Sequence, residues 1–273
     1  MPAYICRTCG VQYPDTTRPP VICHICDDER QYVPQSGQQW TTMEELAAEG
    51  RENRIRNADP GVESIHTAPR FGIGQRACLV RTDGGNFLWD CISYLDDVTI
   101  AAINEMGGIQ GLGVSHPHFY ASIVEWSQAF NNAPIYIPEA DRQHFVRPDP
   151  AVAWWSGTLE PWPGLTLVQV GGHFDGSAVL HWADGADGRG ALFTGDSISV
   201  AQDTQWVTFM RSYPNYIPLP PPAIRGIVAA VQPYEFDRLY GGWWDSVVRS
   251  GAKEAVRLSA ERYIRWTGLE PGT

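Results

Sequence analysis

Positive charge is scarce in this chain. Lys and Arg number 20 against 31 Asp and Glu, which leaves a formal net charge of −11 at pH 7. Such a surface repels phosphate backbones and no basic run overrules it, so nucleic acid is not an expected partner. Long apolar runs are missing as well. No stretch approaches the roughly 18 consecutive apolar residues of a membrane span, and no membrane association is expected. The opening "MPAYICRTCG" lacks a charged segment followed by an apolar one, so a cytoplasmic setting with reduced thiols is expected. Internal repeats and low-complexity segments are absent too. The composition is that of an ordinary globular chain, 43% hydrophobic and 19% charged, over 273 residues. That length suits one large core, or one core with a small module beside it. The eleven Trp residues are expected in the core or in cleft walls.

Cysteine is unevenly placed. Four of the six lie in the first 26 residues, as Cys6-Arg-Thr-Cys9 and Cys23-His-Ile-Cys26. Two CxxC pairs at this spacing are a zinc signature of the ribbon or knuckle kind, each pair turning both sulfurs toward one ion. Gly10 suits the turn after the first pair. His24 reads as a neighbour of the ion, not a ligand. A module this small depends on its metal to fold. Its expected place is against the main domain or over part of a cleft, and it could support a homodimer.

We therefore divide the chain into a four-cysteine zinc module (1–38), a linker helix (39–64) and a main domain (65–273). The helix is read in "WTTMEELAAEGRENRIRN", with Thr41 or Thr42 as N-cap and Glu44 or Glu45 three residues on. A hairpin comes next, "QRACLVRT" and "FLWDCISYL" about "DGGN"; a turn at Gly84-Gly85 would set Cys78 opposite Cys91. Strands and helices then alternate. "APIYIP", "AVLHWA" and "ALFTGD" read as strands, "PPAIRGIVAAV" as a helix started by prolines, and "DSVVRSGAKEAVRLSAERYIRW" as a last helix stopped by Gly268. This order predicts layered α and β structure around sheets.

Polar residues gather where strands are expected to end. His116 and His118 follow one apolar run, His173 follows Gly171-Gly172, and Asp196 follows "FTG". Residues i and i+2 of an extended chain point the same way, so His116 and His118 can reach one ion. Strand ends hold such groups rigidly. Asp175 and Asp90 could also face the site, Asp90 as a partner that orients a metal-bound histidine. His66, His144 and His181 have no partner pattern and read as structural or surface residues. "SYPNYIPLPPP", with Trp206 and Phe209 before it, and Trp243-Trp244 suggest an aromatic-walled pocket for a small, partly apolar substrate.

"SHPHFYA", "GGHFDGS" and "LFTGDSI" resemble three successive signatures of the metallo-β-lactamase superfamily, from about Ile65 onward. The resemblance implies an α+β fold, an αββα sandwich with its site at one edge of two packed sheets. It implies that His116, His118 and His173 hold a metal and that Asp196 matches the carboxylate that usually bridges two. The family's first motif continues with Asp and His, where this chain has Tyr120 and Ala121. Its late histidine falls on Gly242 or Trp243. The private ligands of a second metal are therefore missing, and one metal is expected: zinc, with iron as the other candidate.

A hydrolase is the expected function, attacking an ester, lactone or thioester of a small molecule with one metal-bound hydroxide. Asp196 would bind the metal or act as general base. Tyr120 would either donate to the oxyanion or only fill the vacated ligand pocket. Two other readings stay open at this point. One is an iron oxygenase using His116, His173 and Asp196; the other is a non-catalytic metal-binding scaffold.

Overall fold

Alternation along the strands decides the architecture. Leu79 of strand Ala77–Thr82 pairs with Leu88 of strand Gly85–Trp89, and both face one way. Val80, Phe87 and Trp89 face the other. Both faces are apolar, so both must be covered. A computed structural model of the protein, which describes residues 1–267, shows how this is done. The two strands sit inside a seven-stranded sheet ordered Val152–Trp155, Ile135–Pro138, Gly111–Gly113, Gly85–Trp89, Ala77–Thr82, Val62–Ala68 and Glu52–Asp59. A six-stranded sheet lies against its inner face, ordered Thr158–Trp162, Leu165–Gln169, Ala178–Trp182, Ala191–Gly195, Arg238–Gly241 and Val247–Val248.

Between the sheets, Leu167, Leu180, Phe193 and Tyr240 pack against Val62, Val80, Phe87 and Trp89. Helices Asp97–Glu105 and Ile123–Ala129 cover the outer face of the larger sheet through Ile103, Ile123 and Val124. Helices Pro221–Val231 and Ala252–Thr267 cover the smaller one through Ile224, Ile227 and Val256. Each such side chain contributes about 1.5–3 kcal/mol when fully buried. The result is an αββα sandwich.

Gly111–Gly113 runs parallel to both of its neighbours, and Ala191–Gly195 runs parallel to Arg238–Gly241. Parallel neighbours need crossovers, so the loops leaving their C-terminal ends gather at one edge of the sandwich. Asp90, Ser115, Asp196 and Gly242 lie just past those ends.

Three local expectations are corrected. The hairpin turns at Asp83-Gly84, with Thr82 opposite Gly85, so Cys78 faces Trp89 and not Cys91. The helix expected in the 39–64 segment spans only Met43–Ala48, capped by the Thr42 side chain accepting from the Glu45 N–H. The next element is Glu52–Asp59, a strand at the edge of the main sheet, held by pairing with Val62–Ala68. A tertiary partner there overrides the helical preference of Glu and Arg, and the charges guard the edge from further pairing. Finally, Val247–Val248 joins the smaller sheet, so the last helix starts at Ala252. The expected stop at Gly268 lies outside the described residues.

The cysteine segment is built on a small sheet of Gln12–Asp15, Ala3–Cys6 and Trp40–Thr41. It docks on the sandwich: the Gln12 N–H donates to the Ala121 carbonyl at 2.9 Å, and the Ser93 hydroxyl donates to the Gly10 carbonyl at 2.8 Å. Val11, Tyr13 and Ile25 share one buried cluster with Val124 and Trp126. Gly10 sits at φ +85°, and a Cβ there would stand 2.3 Å from the Ser93 hydroxyl oxygen. Gly10→Ala is therefore expected to destabilise the protein by roughly 1–3 kcal/mol. At about 2–4 °C per kcal/mol for a chain near this size, thermal unfolding reads it directly. An unchanged Tm would count against docking through this turn.

Candidate metal centre

The strand Gly111–Gly113 delivers its chain to the site in extended form: His116 has φ −172° and ψ 169°. Pro117 then opens a single turn of 3₁₀ helix, Pro117–Phe119, which brings His118 back beside His116. His173 stands on the loop after Leu165–Gln169, and Asp196 directly follows Ala191–Gly195. All four side chains are buried. One ligand atom from each, three imidazole nitrogens and a carboxylate oxygen, lies within 4.8 Å of every other. His116 Nε2 is 3.6 Å from Asp196 Oδ2, and His173 Nε2 is 3.4 Å from His118 Nδ1.

Burial is the main cause that pushes all three histidines below the usual imidazole range, His173 to about 4. They are neutral at pH 7, the form that donates a lone pair. Burial, and after it the Asp90 carboxylate, raises Asp196 to about 8. His116 Nε2 and Asp196 Oδ1 have no hydrogen-bond partner. Buried donor atoms that converge with so few protons to share are unfavourable in a protein interior, and a divalent cation satisfies them together and displaces the proton that Asp196 otherwise holds at pH 7. The donor set suits zinc.

The surroundings fix which nitrogen faces inward. His173 Nδ1 is 2.9 Å from the Met210 carbonyl, which can only accept, so Nδ1 carries the proton and Nε2 presents its lone pair. His116 Nδ1 is 2.9 Å from the Ser115 hydroxyl. The Ser115 N–H in turn donates to Asp90 at 2.7 Å. Asp90 thus acts on His116 through Ser115, without touching the ring. Gly195 makes this possible: at φ +51°, a Cβ would fall 2.0 Å from the Ser115 hydroxyl oxygen.

The second cluster is Cys6, Cys9, Cys23 and Cys26, all buried and all free thiols. Sulfur pairs Cys6–Cys26 and Cys9–Cys23 are 3.6 Å apart. A tetrahedral ion with metal–sulfur bonds of about 2.3 Å sets sulfurs about 3.8 Å apart. The spacing therefore matches a four-thiolate site. Tyr13 and the Gln38 amide each donate to one of the sulfurs. His24 is exposed and outside the cluster.

The sequence matches no family model. It is 51% identical over 267 residues to the uncharacterized protein YmaE of Bacillus subtilis (strain 168), covering 97% of both chains. Among solved structures, the metallo-β-lactamase FIM-1 from Pseudomonas aeruginosa in its mono-zinc form aligns with a TM-score of 0.57 at 14% identity, over 80% of this chain and 97% of that one. DIM-1 metallo-β-lactamase aligns at 0.55 and 14%, over 76% and 98%. Rubredoxin oxygen:oxidoreductase from Desulfovibrio gigas aligns at 0.55 and 15%, over 80% and 63%. The chain is a metallo-β-lactamase-fold protein of one family with YmaE.

Within this metallo-β-lactamase fold the second metal position is degenerate. Among the described residues, no metal-ligating group besides the two clusters comes together. Tyr120, expected to be either an oxyanion donor or a filler, packs its ring edge-on against Phe145 at 5.2 Å. Its hydroxyl is buried without a partner in the field of Asp141. It is not among the residues lining the cavity at the histidines. Ala121 is buried, and Gly242 packs on Phe119.

A cavity of about 280 Å³ opens on His118, His173 and Asp196. Tyr213 and Trp243 form its aromatic side, with Pro214 beside them, in line with the composition of those segments. Trp244 lines the neighbouring cavity, Phe209 is fully buried in the helix layer, and Trp206 lies under Arg262. Asp175 is exposed. The opposite wall is made by the cysteine segment, whose expected place is against the main domain or over part of a cleft: Thr8, Gln31 and Tyr32 stand there, with Arg70 and Ile73. Nothing local in "ERQY" marks these residues as site-facing.

Proposed function

We propose that this protein is a hydrolase working with one zinc ion, held by His116, His118, His173 and Asp196, on a small ester, lactone or thioester. The convergence of four buried donor atoms within 4.8 Å, with no second ligand set beside them among the described residues, carries the reading. A zinc ion there would supply Lewis acidity toward a carbonyl oxygen and a hydroxide-like nucleophile near neutral pH. FIM-1, which shares the fold, is known in a mono-zinc form.

The chain's own residues do the rest. Met210 locks the His173 imidazole in the tautomer that presents Nε2 to the metal, and Ser115 holds the His116 ring in place through Nδ1. Asp196 would give one carboxylate oxygen to the zinc, whose charge would keep the group ionised despite its burial, leaving the other, unpartnered in the structure, to take a proton from water. Tyr213, Trp243 and Ile73 enclose an apolar substrate body and exclude bulk solvent, while Gln31 and Arg70 meet its polar end. Tyr120 we assign to packing in the vacated ligand pocket. The inclusion of His118 in the cluster favours the four-donor hydrolase over a set of two histidines and one carboxylate.

The test is a panel of chromogenic esters, lactones and thioesters offered to metal-stripped protein reloaded with zinc. Hydrolysis is expected only when the second equivalent per chain is bound. No turnover of any class with both sites loaded would overturn the proposal.

A further inference from the structure

The cysteine segment reaches the histidine centre through one side chain. Arg30, only 8% exposed, donates its Nε–H to the backbone carbonyl of His173 at 2.8 Å. Its Nη1 is held by both carboxylate oxygens of Asp28 at 2.8 Å, and the guanidinium lies 4.2 Å over the Phe174 ring. The same stretch is tied to the element that grips the His173 ring. The Ser212 hydroxyl donates to the Arg30 carbonyl at 2.9 Å, and the Asn215 amide donates to the carbonyls of Glu29 and Gln31. Arg211 pairs with Glu29. His173 is thus held from its backbone by Arg30 and from its ring by Met210. Both holders belong to one network, which starts at Asp28, just past the second cysteine pair. The turn between is fixed to the cluster, since the Asp27 N–H donates to the Cys23 carbonyl at 2.9 Å.

We infer that Arg30 is a positioning residue for His173, and that through it the occupied four-cysteine site sets the affinity of the histidine site for its metal. The inference rests on the one-metal reading of that site. A hydrogen bond from a charged donor to a buried carbonyl is among the stronger ones in a protein, and removing the donor leaves that carbonyl unsatisfied. The loop holding His173 then loses the anchor nearest the ligand, and its height relative to His116 and His118 is less firmly set. An arginine fits the role because its planar fork serves the carbonyl and the Asp28 carboxylate together, which a lysine cannot do.

The experiment uses full-length wild type, Arg30→Ala and Arg30→Lys, stripped of metal and titrated with Co²⁺. Sulfur-to-cobalt charge-transfer absorption reports the cysteine site, and the weaker visible bands with chelator competition report the histidine site. In Arg30→Ala the cysteine site is expected to fill as in wild type. The dissociation constant of the histidine site should rise about 10–100-fold, as when other partners that orient metal ligands are lost. Arg30→Lys should fall between the two. If Arg30→Ala does not fold, Arg30→Lys decides alone. A wild-type dissociation constant at the histidine site in either folded variant overturns the inference. If wild type itself takes cobalt only at the cysteines, the one-metal reading fails first and is seen to fail separately.

Discussion

His173→Ala is expected to bind one metal equivalent where wild type binds two, and to lose hydrolysis by more than about 100-fold. Losing a partner that merely orients a ligand already costs about 10–100-fold, so losing the ligand itself costs more. The fold should survive, because the contacts that anchor that loop are made by backbone: the His173 carbonyl still accepts from Arg30, and the Gly176 N–H still donates to Asp141. Removing one of several facing lone pairs even relieves the metal-free cluster. Stripped wild type and stripped variant should therefore unfold at similar temperatures. Metal present at about 100 times its dissociation constant adds about 2.7 kcal/mol to wild type alone. For a protein of this size that corresponds to roughly 5–10 °C. Elemental analysis, calorimetry and the ester panel check the three parts separately. A variant that keeps two equivalents and full turnover would place the chemistry elsewhere.

The residues that make this prediction possible are legible in the sequence because each sits beside a local marker. Pro117 forces the turn that pairs His116 with His118, Gly171-Gly172 precedes His173, and Gly195 precedes Asp196. The two CxxC pairs are legible for the same reason, since spacing alone aims their sulfurs. The sandwich follows from apolar residues on both faces of most strands. Glu52–Asp59 reads as helix because an edge strand rich in Glu, Arg and Asn carries helix-forming residues and almost no apolar alternation; its partner Val62–Ala68 decides its state. The hairpin register differs by two because Asp83-Gly84 and Gly84-Gly85 are both acceptable turns, and a shift of two keeps every side chain on its face. That the cysteine segment could cover part of a cleft is legible, but that Thr8, Gln31 and Tyr32 are the residues forming the wall is not, for a deeper reason. It is created by docking of a segment remote in sequence, Arg30 standing 143 positions from His173. No periodicity records where a docked loop will point.

That docking makes the cysteine cluster the other place where one substitution should have a large effect. Cys23 is fully buried, its sulfur accepts from Tyr13, and its carbonyl accepts from the N–H groups of Cys26 and Asp27. Structural zinc contributes about 10–16 kcal/mol of apparent binding energy to small modules of this kind. Loss of one thiolate removes a large share of it, while the sandwich keeps its own core between the sheets. Cys23→Ser is thus expected to lose the cysteine-bound metal and to expose the segment up to Thr41 to limited proteolysis, with the strands from Val62 onward still protected. Because Arg30 and the cavity wall belong to the released segment, the histidine site should weaken in the same variant and ester turnover should fall with it. Cys78→Ser supplies the control. That thiol is buried in the central hairpin and belongs to neither cluster, so any loss of stability there should leave two metal equivalents in the folded protein. Should Cys23→Ser retain both metals and wild-type protease resistance, the four sulfurs would not be a metal site, and their 3.6 Å spacing would need another cause.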